Sequence, residues 1–153
     1  MNDTLKLKGT YHLEIRDKDG KTTDKWSVDN LVTNAGKAQI ALLIGDASGT
    51  PFTYLAVGTS STAVAVTDTT LNAEIVDSGL ARVAATVSRT TTTVTNDTYQ
   101  ATYTWTASGT KTVEEIGVFS ASSGGVLLSH ALTGSKVLTN GAQLVATYQL
   151  KAS

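Results

Sequence analysis

The sequence predicts a mainly β protein, an antiparallel β-sandwich or Greek-key barrel of about eight strands with one short helix. Threonine, serine, alanine, valine and glycine dominate the 153 residues, with a single proline, a composition that favours strands and tight turns. Most segments alternate apolar and polar residues, which is the period of a half-buried strand. One stretch, at about 34–44, has the period of a helix instead.

The first predicted element is a β-hairpin over about 4–28. Its first arm alternates apolar with polar residues, the apolar ones being Leu5, Leu7, Tyr11, Leu13 and Ile15. The turn is predicted at Asp17-Lys18-Asp19-Gly20, because Gly20 can take a positive φ. Residues 21–28 then return as the second arm, and the hairpin leads into the helix.

The helix is predicted to begin at Asn34 or Thr33, either of which can cap the first turn, and to end at Gly45 in a left-handed conformation. A helix this short and apolar is marginal alone in water. We therefore expect it to close one end or side of the β-body and to unfold the domain when Leu42 is replaced by Asp. The residues expected to be largely buried are Ala38, Ile40, Ala41, Leu42 and Ile44.

The remaining chain is predicted to be strands joined by loops and short turns. A loop at 46–51 precedes a short strand at 52–57, and a long surface loop follows at 59–70. In that loop Asp68 could cap one helical turn, with Leu71 holding the loop down. Later strands are expected at 79–95, 98–107, 113–120 and 126–132, with a last one through Leu144, Ala146, Tyr148 and Leu150; their turns are Asn96-Asp97, Ser122–Gly125 and Asn140-Gly141. No repeat or linker divides the sequence, so we predict one β domain over 1–153.

Charge and cysteine content exclude several classes of function. Only 16% of residues are charged and the net charge is −1, so nothing draws the chain to nucleic acid or to an anionic membrane. Without cysteine there is no disulfide and no thiolate metal site. The first residues lack a signal-peptide pattern, and the longest apolar run, 40–44, is too short to span a bilayer. We expect synthesis in the cytoplasm, with no nucleic-acid or membrane partner.

Metal sites are the first chemical candidates. His12 and His130 are the only histidines, and neither has a second ligand at a usual spacing. We predict an ordinary solvated or hydrogen-bonded role for both. Asp17-x-Asp19-Gly20 with Asp24 is similar to part of a calcium loop, but the third early ligand and the final Glu are missing. A plain hairpin turn is the favoured interpretation.

The adjacent carboxylates Glu114 and Glu115 point to opposite faces of a strand and cannot act as an acid–base pair. Glu115 shares its strand with apolar residues. If it points inward, it needs a partner such as Arg82 or Arg89, or a set of backbone N–H groups. A structural ion pair is favoured over a surface or a catalytic role.

Other catalytic and binding motifs are missing from the sequence. No serine lies in a Gly-x-Ser-x-Gly elbow, and neither Gly58-Thr-Ser nor Ser123-Gly124-Gly125 has Walker spacing. Tyr99, Tyr103 and Trp105 could form a stacking platform for bases or sugars, but core packing is favoured because no basic groove accompanies them. The sequence therefore predicts a protein that is not an enzyme, with no catalytic, cofactor-binding or metal-binding residue and no cofactor.

Four motifs in order carry a family resemblance. They are Asn-Leu-Val-Thr-Asn-Ala-Gly at 30–36, Tyr-Leu-Ala-Val-Gly-Thr at 54–59, Thr-Asp-Thr-Thr-Leu-Asn-Ala-Glu at 67–74 and Glu-Glu-Ile-Gly-Val-Phe-Ser-Ala-Ser-Ser-Gly-Gly at 114–125. Together they resemble the small structural virion proteins of tailed bacteriophages, over about residues 5–150. Such proteins serve as capsid decoration (cement) proteins or as parts of the tail and baseplate.

The resemblance implies a homotrimeric decoration protein on the outer surface of the head, with the major capsid protein as its partner. The amino-terminal hairpin or the loop at 59–70 would hold the capsid. Two alternatives remain open. One is a tail, baseplate or neck component, and the other is a receptor- or carbohydrate-binding module that uses Tyr99, Tyr103 and Trp105.

Overall fold

A computed structural model describes residues 4–46 and 48–153. Residues 1–3 of the predicted domain at 1–153 and residue 47 of the loop predicted at 46–51 lie outside the described part of the chain.

Within the described residues the chain forms ten strands and one helix. In chain order these are β1 (Leu7–Arg16), β2 (Thr22–Asp29), β3 (Leu31–Val32), α1 (Asn34–Gly45), β4 (Tyr54–Gly58), β5 (Val83–Ala84), β6 (Thr86–Thr90), β7 (Thr98–Thr106), β8 (Lys111–Phe119), β9 (Leu127–Leu138) and β10 (Gln143–Ala152). The first sheet has the order β2-β1-β10-β7-β6 and the second β3-β9-β8-β4-β5. All strand pairs are antiparallel.

The two sheets enclose an apolar core, which confirms the predicted β-sandwich with one short helix. Alternation along each strand sends one set of side chains into this core. Its largest fully buried members include Trp105, Tyr11, Tyr148, Leu13, Leu55 and Ile116. A smaller apolar cluster lies on the opposite face of the second sheet and contains Ala56, Leu71, Phe119 and Leu127. The second sheet is therefore covered on both faces, and its outer cover is the segment that carries Leu71.

The amino-terminal hairpin forms as predicted, from β1 and β2. The Asp17 carboxylate accepts hydrogen bonds from the backbone N–H groups of Asp19 and Lys21, and Gly20 has φ 85°. Asp24 does not join this turn, because its carboxylate lies 2.6 Å from Lys136 Nζ. The hairpin interpretation of this acidic segment is confirmed.

The helix lies where the sequence predicts it, but its packing differs. Thr33 is the N-cap, and its Oγ1 accepts from Gly36 N–H at 2.9 Å. Gly45 is the last helical residue rather than a left-handed cap. The predicted burial is wrong, because Ala38, Ala41, Leu42 and Ile44 are exposed and Ile40 is half-buried.

The buried side of α1 is formed by Gly36 and Gln39 instead. Gly36 touches the backbone of Leu128 in β9, and Gln39 Nε2 donates to the carbonyl of Thr50 at 2.9 Å. Ile40 and Leu43 are half-buried against the core, whereas Leu42 and Ile44 are turned outward. Leu42 is 44% exposed, so the expectation that Leu42→Asp unfolds the domain no longer has a structural basis.

The two glycines of α1 predict opposite responses to alanine. A Cβ on Gly36 would lie 2.6 Å from the carbonyl oxygen of Leu128, whereas one on Gly45 meets nothing within 4 Å. We expect Gly36→Ala to lower the free energy of unfolding by about 1–3 kcal/mol through overpacking. Gly45→Ala should raise it by about 0.5 kcal/mol through helix propensity. Urea denaturation of both variants measures the contrast, and equal stabilities would contradict the close packing of Gly36.

The long strand predicted at 79–95 is wrong. The chain crosses from the second sheet to the first between β5 and β6, at Ala85, whose N–H donates to the carbonyl of Thr53. After β6 the Asp97 carboxylate accepts from the N–H groups of Thr92 and Val94, so this polar run forms a turn. Hydrogen bonds from the backbone lower the pKa of Asp97. The other predicted strands are present, and β9 continues to Leu138.

Candidate functional site

The candidate site is a cluster of three ionisable side chains on the outer face of the second sheet. The β8–β9 register places Glu115 opposite Leu132 and His130 opposite Gly117, so the two side chains are close neighbours on one face. His130 Nε2 lies 2.7 Å from Glu115 Oε2, and its Nδ1 lies 2.7 Å from Asp68 Oδ2. The side chains of Glu115 and His130 are fully buried, while that of Asp68 is 18% exposed. We call these three residues the Asp–His–Glu cluster.

The cluster ties the loop after β4 to the second sheet. Glu115 accepts from the N–H of Ala73 at 2.7 Å and from that of Asn72 at 3.0 Å. Asp68 also accepts from the N–H of Ala65 at 2.8 Å. The predicted helical turn at Asp68 is not formed, whereas Leu71 is buried as predicted. The second half of the predicted surface loop is thus held against the second sheet by the bond between Asp68 and His130 and by the adjacent buried side chain of Leu71.

The structural role predicted for Glu115 is confirmed, and so is the set of backbone donors. The predicted charged partners are wrong, because neither Arg82 nor Arg89 bonds to it and His130 does. His130 has the hydrogen-bonded role predicted for it. His12 lies exposed on the first sheet, with Nδ1 2.8 Å from Ser27 Oγ.

Arg82 forms a second set of contacts on the same side of the molecule as the Asp–His–Glu cluster. Its guanidinium bonds to the Glu74 carboxylate at 2.9 and 2.6 Å. It also donates to the carbonyls of Ala121 and Gly124, and it lies 3.5 Å from the centre of the Phe119 ring. The turn predicted at Ser122–Gly125 is therefore fixed to the segment that carries Glu74.

Glu115 and His130 shift each other's pKa. Burial alone would raise the pKa of Glu115, but hydrogen bonds from His130 and from two backbone N–H groups outweigh it and lower that pKa. Burial alone would lower the pKa of His130, but Glu115 and Asp68 outweigh it and raise that pKa. Both shifts favour the charged forms, a protonated His130 imidazole beside an ionised Glu115 carboxylate.

This arrangement suits structure rather than catalysis. Both ring nitrogens of His130 bond to carboxylates, so neither is free to take a proton from a nucleophile. Among residues 4–46 and 48–153, no group of three or more His, Cys, Asp or Glu side chains is placed to hold a metal ion. In the same ranges, no helix is long and apolar enough to cross a membrane.

The three aromatic residues weighed as a stacking platform belong to the core. Trp105 is 2% exposed, and its indole N–H donates to the carbonyl of Ala81 at 3.0 Å. Tyr103 packs edge-on against Trp105 with ring centres 5.2 Å apart, and Tyr99 donates its hydroxyl proton to the carbonyl of Phe52. Core packing is confirmed, and the three rings do not form an exposed face for a sugar.

Sequence reasoning identified Glu115 and His130 separately but missed their contact and the role of Asp68. His130 and Asp68 are 62 residues apart, and no local pattern links them. The one available signal was a Glu within an apolar strand, which required a buried partner.

Comparison of the chain with protein-family models, with curated proteins and with solved structures gives no match in any of the three.

The Asp–His–Glu cluster predicts a window of pH for maximal stability. The raised pKa of His130 adds stability that is fully present below its unfolded value of about 6.5 and is lost as pH rises through the raised folded value. The lowered pKa of Glu115 adds stability that is present above 4.5 and is lost as pH falls through the lowered folded value. We therefore expect urea denaturation to give the highest free energy of unfolding between pH 4.5, the ordinary value for Glu115, and about pH 6.5, the ordinary value for His130.

In the variant His130→Gln, most of the decrease in the free energy of unfolding at alkaline pH should disappear. His12→Gln, at an exposed histidine, is the matched control and should show the same alkaline decrease as the wild type. An alkaline loss of equal size in wild type and His130→Gln would show that other groups cause it.

Proposed function

We propose that this chain is a non-enzymatic structural protein of a tailed-bacteriophage virion, a homotrimeric capsid decoration protein on the outer surface of the head. It would stabilise the head by bridging subunits of the major capsid protein. One observation supports this proposal above the others. The four motifs on which the phage resemblance rests are distant in sequence but meet around the second sheet.

The contacts among these motifs are specific. At the start of α1, in the first motif, Asn34 N–H donates to the carbonyl of Val66 at 2.8 Å, next to the third motif. The second motif is β4, which pairs with β8 in the fourth. Glu115 of the fourth motif bonds to Asn72 and Ala73 of the third. The four motifs therefore form one contiguous structural unit around the second sheet.

The outer face of the first sheet suits a broad polar contact. Its central strands present hydroxyl, amide and charged groups outward, because their apolar residues point into the core. These outward side chains include Thr10, His12, Thr102, Thr147 and Gln149. A decoration protein stabilises a shell by mass action and by many weak contacts, and a polar sheet face offers such contacts without leaving a large apolar patch in solution.

Two short deletions test which segment holds the capsid. Removing residues 1–5 leaves β1 whole, whereas a deletion through residue 10 would take part of that strand away from β10. In the loop, residues 60–64 can be shortened while Val66 and Asp68 keep their bonds to Asn34 and His130. We expect one of the two variants to lose binding to bare expanded capsids. Undiminished occupancy by both would eliminate residues 1–5 and residues 60–64 as the anchoring segments.

Copy number tests the proposal as a whole. A decoration protein occurs at a copy number comparable to that of the major capsid protein, whereas a tail, baseplate or neck component occurs in a few rings. Quantitative mass spectrometry of purified virions measures this ratio. A ring-like copy number would replace the decoration role by a tail or neck role.

A further inference from the structure

The two sheets do not close over the core along β6, the edge strand of the first sheet. In the β6–β7 register, Val87 lies opposite Ala101 and Arg89 lies opposite Tyr99. Opposed residues share a face of the sheet, and Ala101 is fully buried in the core. Val87 and Arg89 therefore lie on the core-facing side of β6. Val87 is nevertheless 43% exposed, and Arg89 is exposed, so the sandwich is open here.

An apolar cleft of about 400 Å³ occupies this opening. We call it the β6 seam; its lining is Leu43, Pro51, Phe52, Thr53, Val87, Ser88, Arg89 and Tyr99. The wall opposite β6 is fixed, because Phe52 is 6% exposed and its carbonyl accepts the Tyr99 hydroxyl proton. A preformed cleft of this size and apolar lining accepts a large apolar side chain.

Arg89 places a positive charge beside this cleft. The chain has three arginines, and two of them pair with carboxylates. Arg16 lies 2.8 Å from Glu14, and Arg82 lies 2.6 Å from Glu74. In the described part of the chain, no carboxylate forms a salt bridge with Arg89. A ligand with a carboxylate near its apolar group would complement both features.

The backbone of β6 supplies a third element of recognition. In the described residues β6 pairs with β7 alone. Alternate N–H and C=O groups of such an edge strand point away from its neighbour. An extended peptide can bond to these groups and place alternate side chains on one face of the sheet.

We propose that the β6 seam binds an extended segment of a partner protein, which adds to the first sheet as a strand beside β6. The segment carries a large apolar residue that enters the cleft and an acidic residue two positions away that pairs with Arg89. The two-residue spacing follows from Val87 and Arg89, which lie two positions apart on the same face. This proposal concerns the chemistry of one segment and does not depend on the decoration role.

Titration of the ¹⁵N-labelled protein with a synthetic peptide tests the proposal. The probe is acetyl-Thr-Thr-Leu-Thr-Asp-Thr-Thr-amide, which holds the apolar and the acidic residue two positions apart. We expect its saturable binding to shift the amide signals of residues 86–90 and those of the cleft lining. Replacing the Asp of the probe by Lys should weaken binding by about tenfold, which corresponds to one charge pair worth about 1.4 kcal/mol.

A charge swap makes the test specific. Arg89→Glu should bind the original probe about tenfold more weakly and should bind the Lys probe about as tightly as wild type binds the original. Lys25→Glu, an exposed residue on the opposite edge strand β2, is the matched control and should change neither affinity. The amide spectrum of each free variant verifies its fold, and Arg89→Gln serves as a second, milder variant that should also weaken binding.

Three results would overturn the proposal. One is the absence of binding by the wild type at millimolar peptide, and another is shifts that avoid residues 86–90. The third is equal affinity of wild type and Arg89→Glu for the original probe. Inward-pointing charges also protect edge strands from self-association. Dimerisation of Arg89→Val, with no peptide binding by the wild type, would assign Arg89 to that protective role instead.

Discussion

Replacing His130 by leucine is expected to lower the free energy of unfolding by about 3–5 kcal/mol, which is the cost of breaking a buried ion pair from one side. The variant leaves the fully buried Glu115 without its counter-charge and cuts the link from Asp68 to the second sheet. Urea denaturation followed by far-ultraviolet circular dichroism measures the loss. We expect the segment from 60 to 74 to become the first site of limited proteolysis, because its charged tie is gone.

His12→Leu is the matched control for this substitution. His12 is exposed and bonds only to Ser27 in the described residues, so its replacement should change stability by less than about 0.5 kcal/mol. The double variant Glu115→Leu/His130→Leu should lose less stability than the sum of the losses in the two single variants. Each single variant leaves the other partner of the pair unpaired, whereas the double variant removes both partners. Strict additivity would show that the two side chains do not form a coupled pair.

Trp105→Ala is expected to lower the free energy of unfolding by about 3–5 kcal/mol, as large-to-small substitutions of buried aromatic residues do. The substitution empties the largest fully buried side-chain position of the core. It also leaves the carbonyl of Ala81 without its indole donor and Tyr103 without its ring partner. Thermal or urea unfolding followed by circular dichroism gives the change.

Trp26→Ala is the control, at the other tryptophan of the chain. Trp26 is half-buried on β2, with its indole N–H bonded to the carbonyl of Thr133 and Lys136 Nζ 4.3 Å from the ring centre. We expect a smaller loss there, because less apolar surface leaves the core. A loss at Trp105 no larger than at Trp26 would contradict the assigned core. Because Trp105 supports the fold, its alanine variant cannot serve as a specific probe of sugar binding.

The helix shows what periodicity could and could not predict. Its position and its cap at Thr33 follow from local chemistry, because capping and helical spacing involve residues only a few positions apart. Its buried face does not follow, because apolar residues occur around most of α1. The face was selected by Gly36, whose missing side chain permits backbone contact with Leu128. That contact joins residues of two distant segments and leaves no local signal.

The candidate site was likewise predictable from the sequence only in part. The position of Glu115 within an apolar strand indicated a buried carboxylate that needs a partner. The identity of the partner depended on the β8–β9 register and on the path of the loop that carries Asp68. Arg82 and Arg89 were equally plausible from charge alone. The fold took Arg82 to Glu74 and left Arg89 at the open edge of the first sheet.

The sequence by itself determined the class of the fold, because alternation with a period of two and turn residues such as Gly20 and Asp97 act over short distances. It also determined that Trp105 lies inside. Only the tertiary structure decided which face of α1 is covered, where the chain crosses between sheets at Ala85, and which charges meet around His130. Each of these depends on contacts between segments far apart in the chain, whose geometry is set by the packing of the two sheets together.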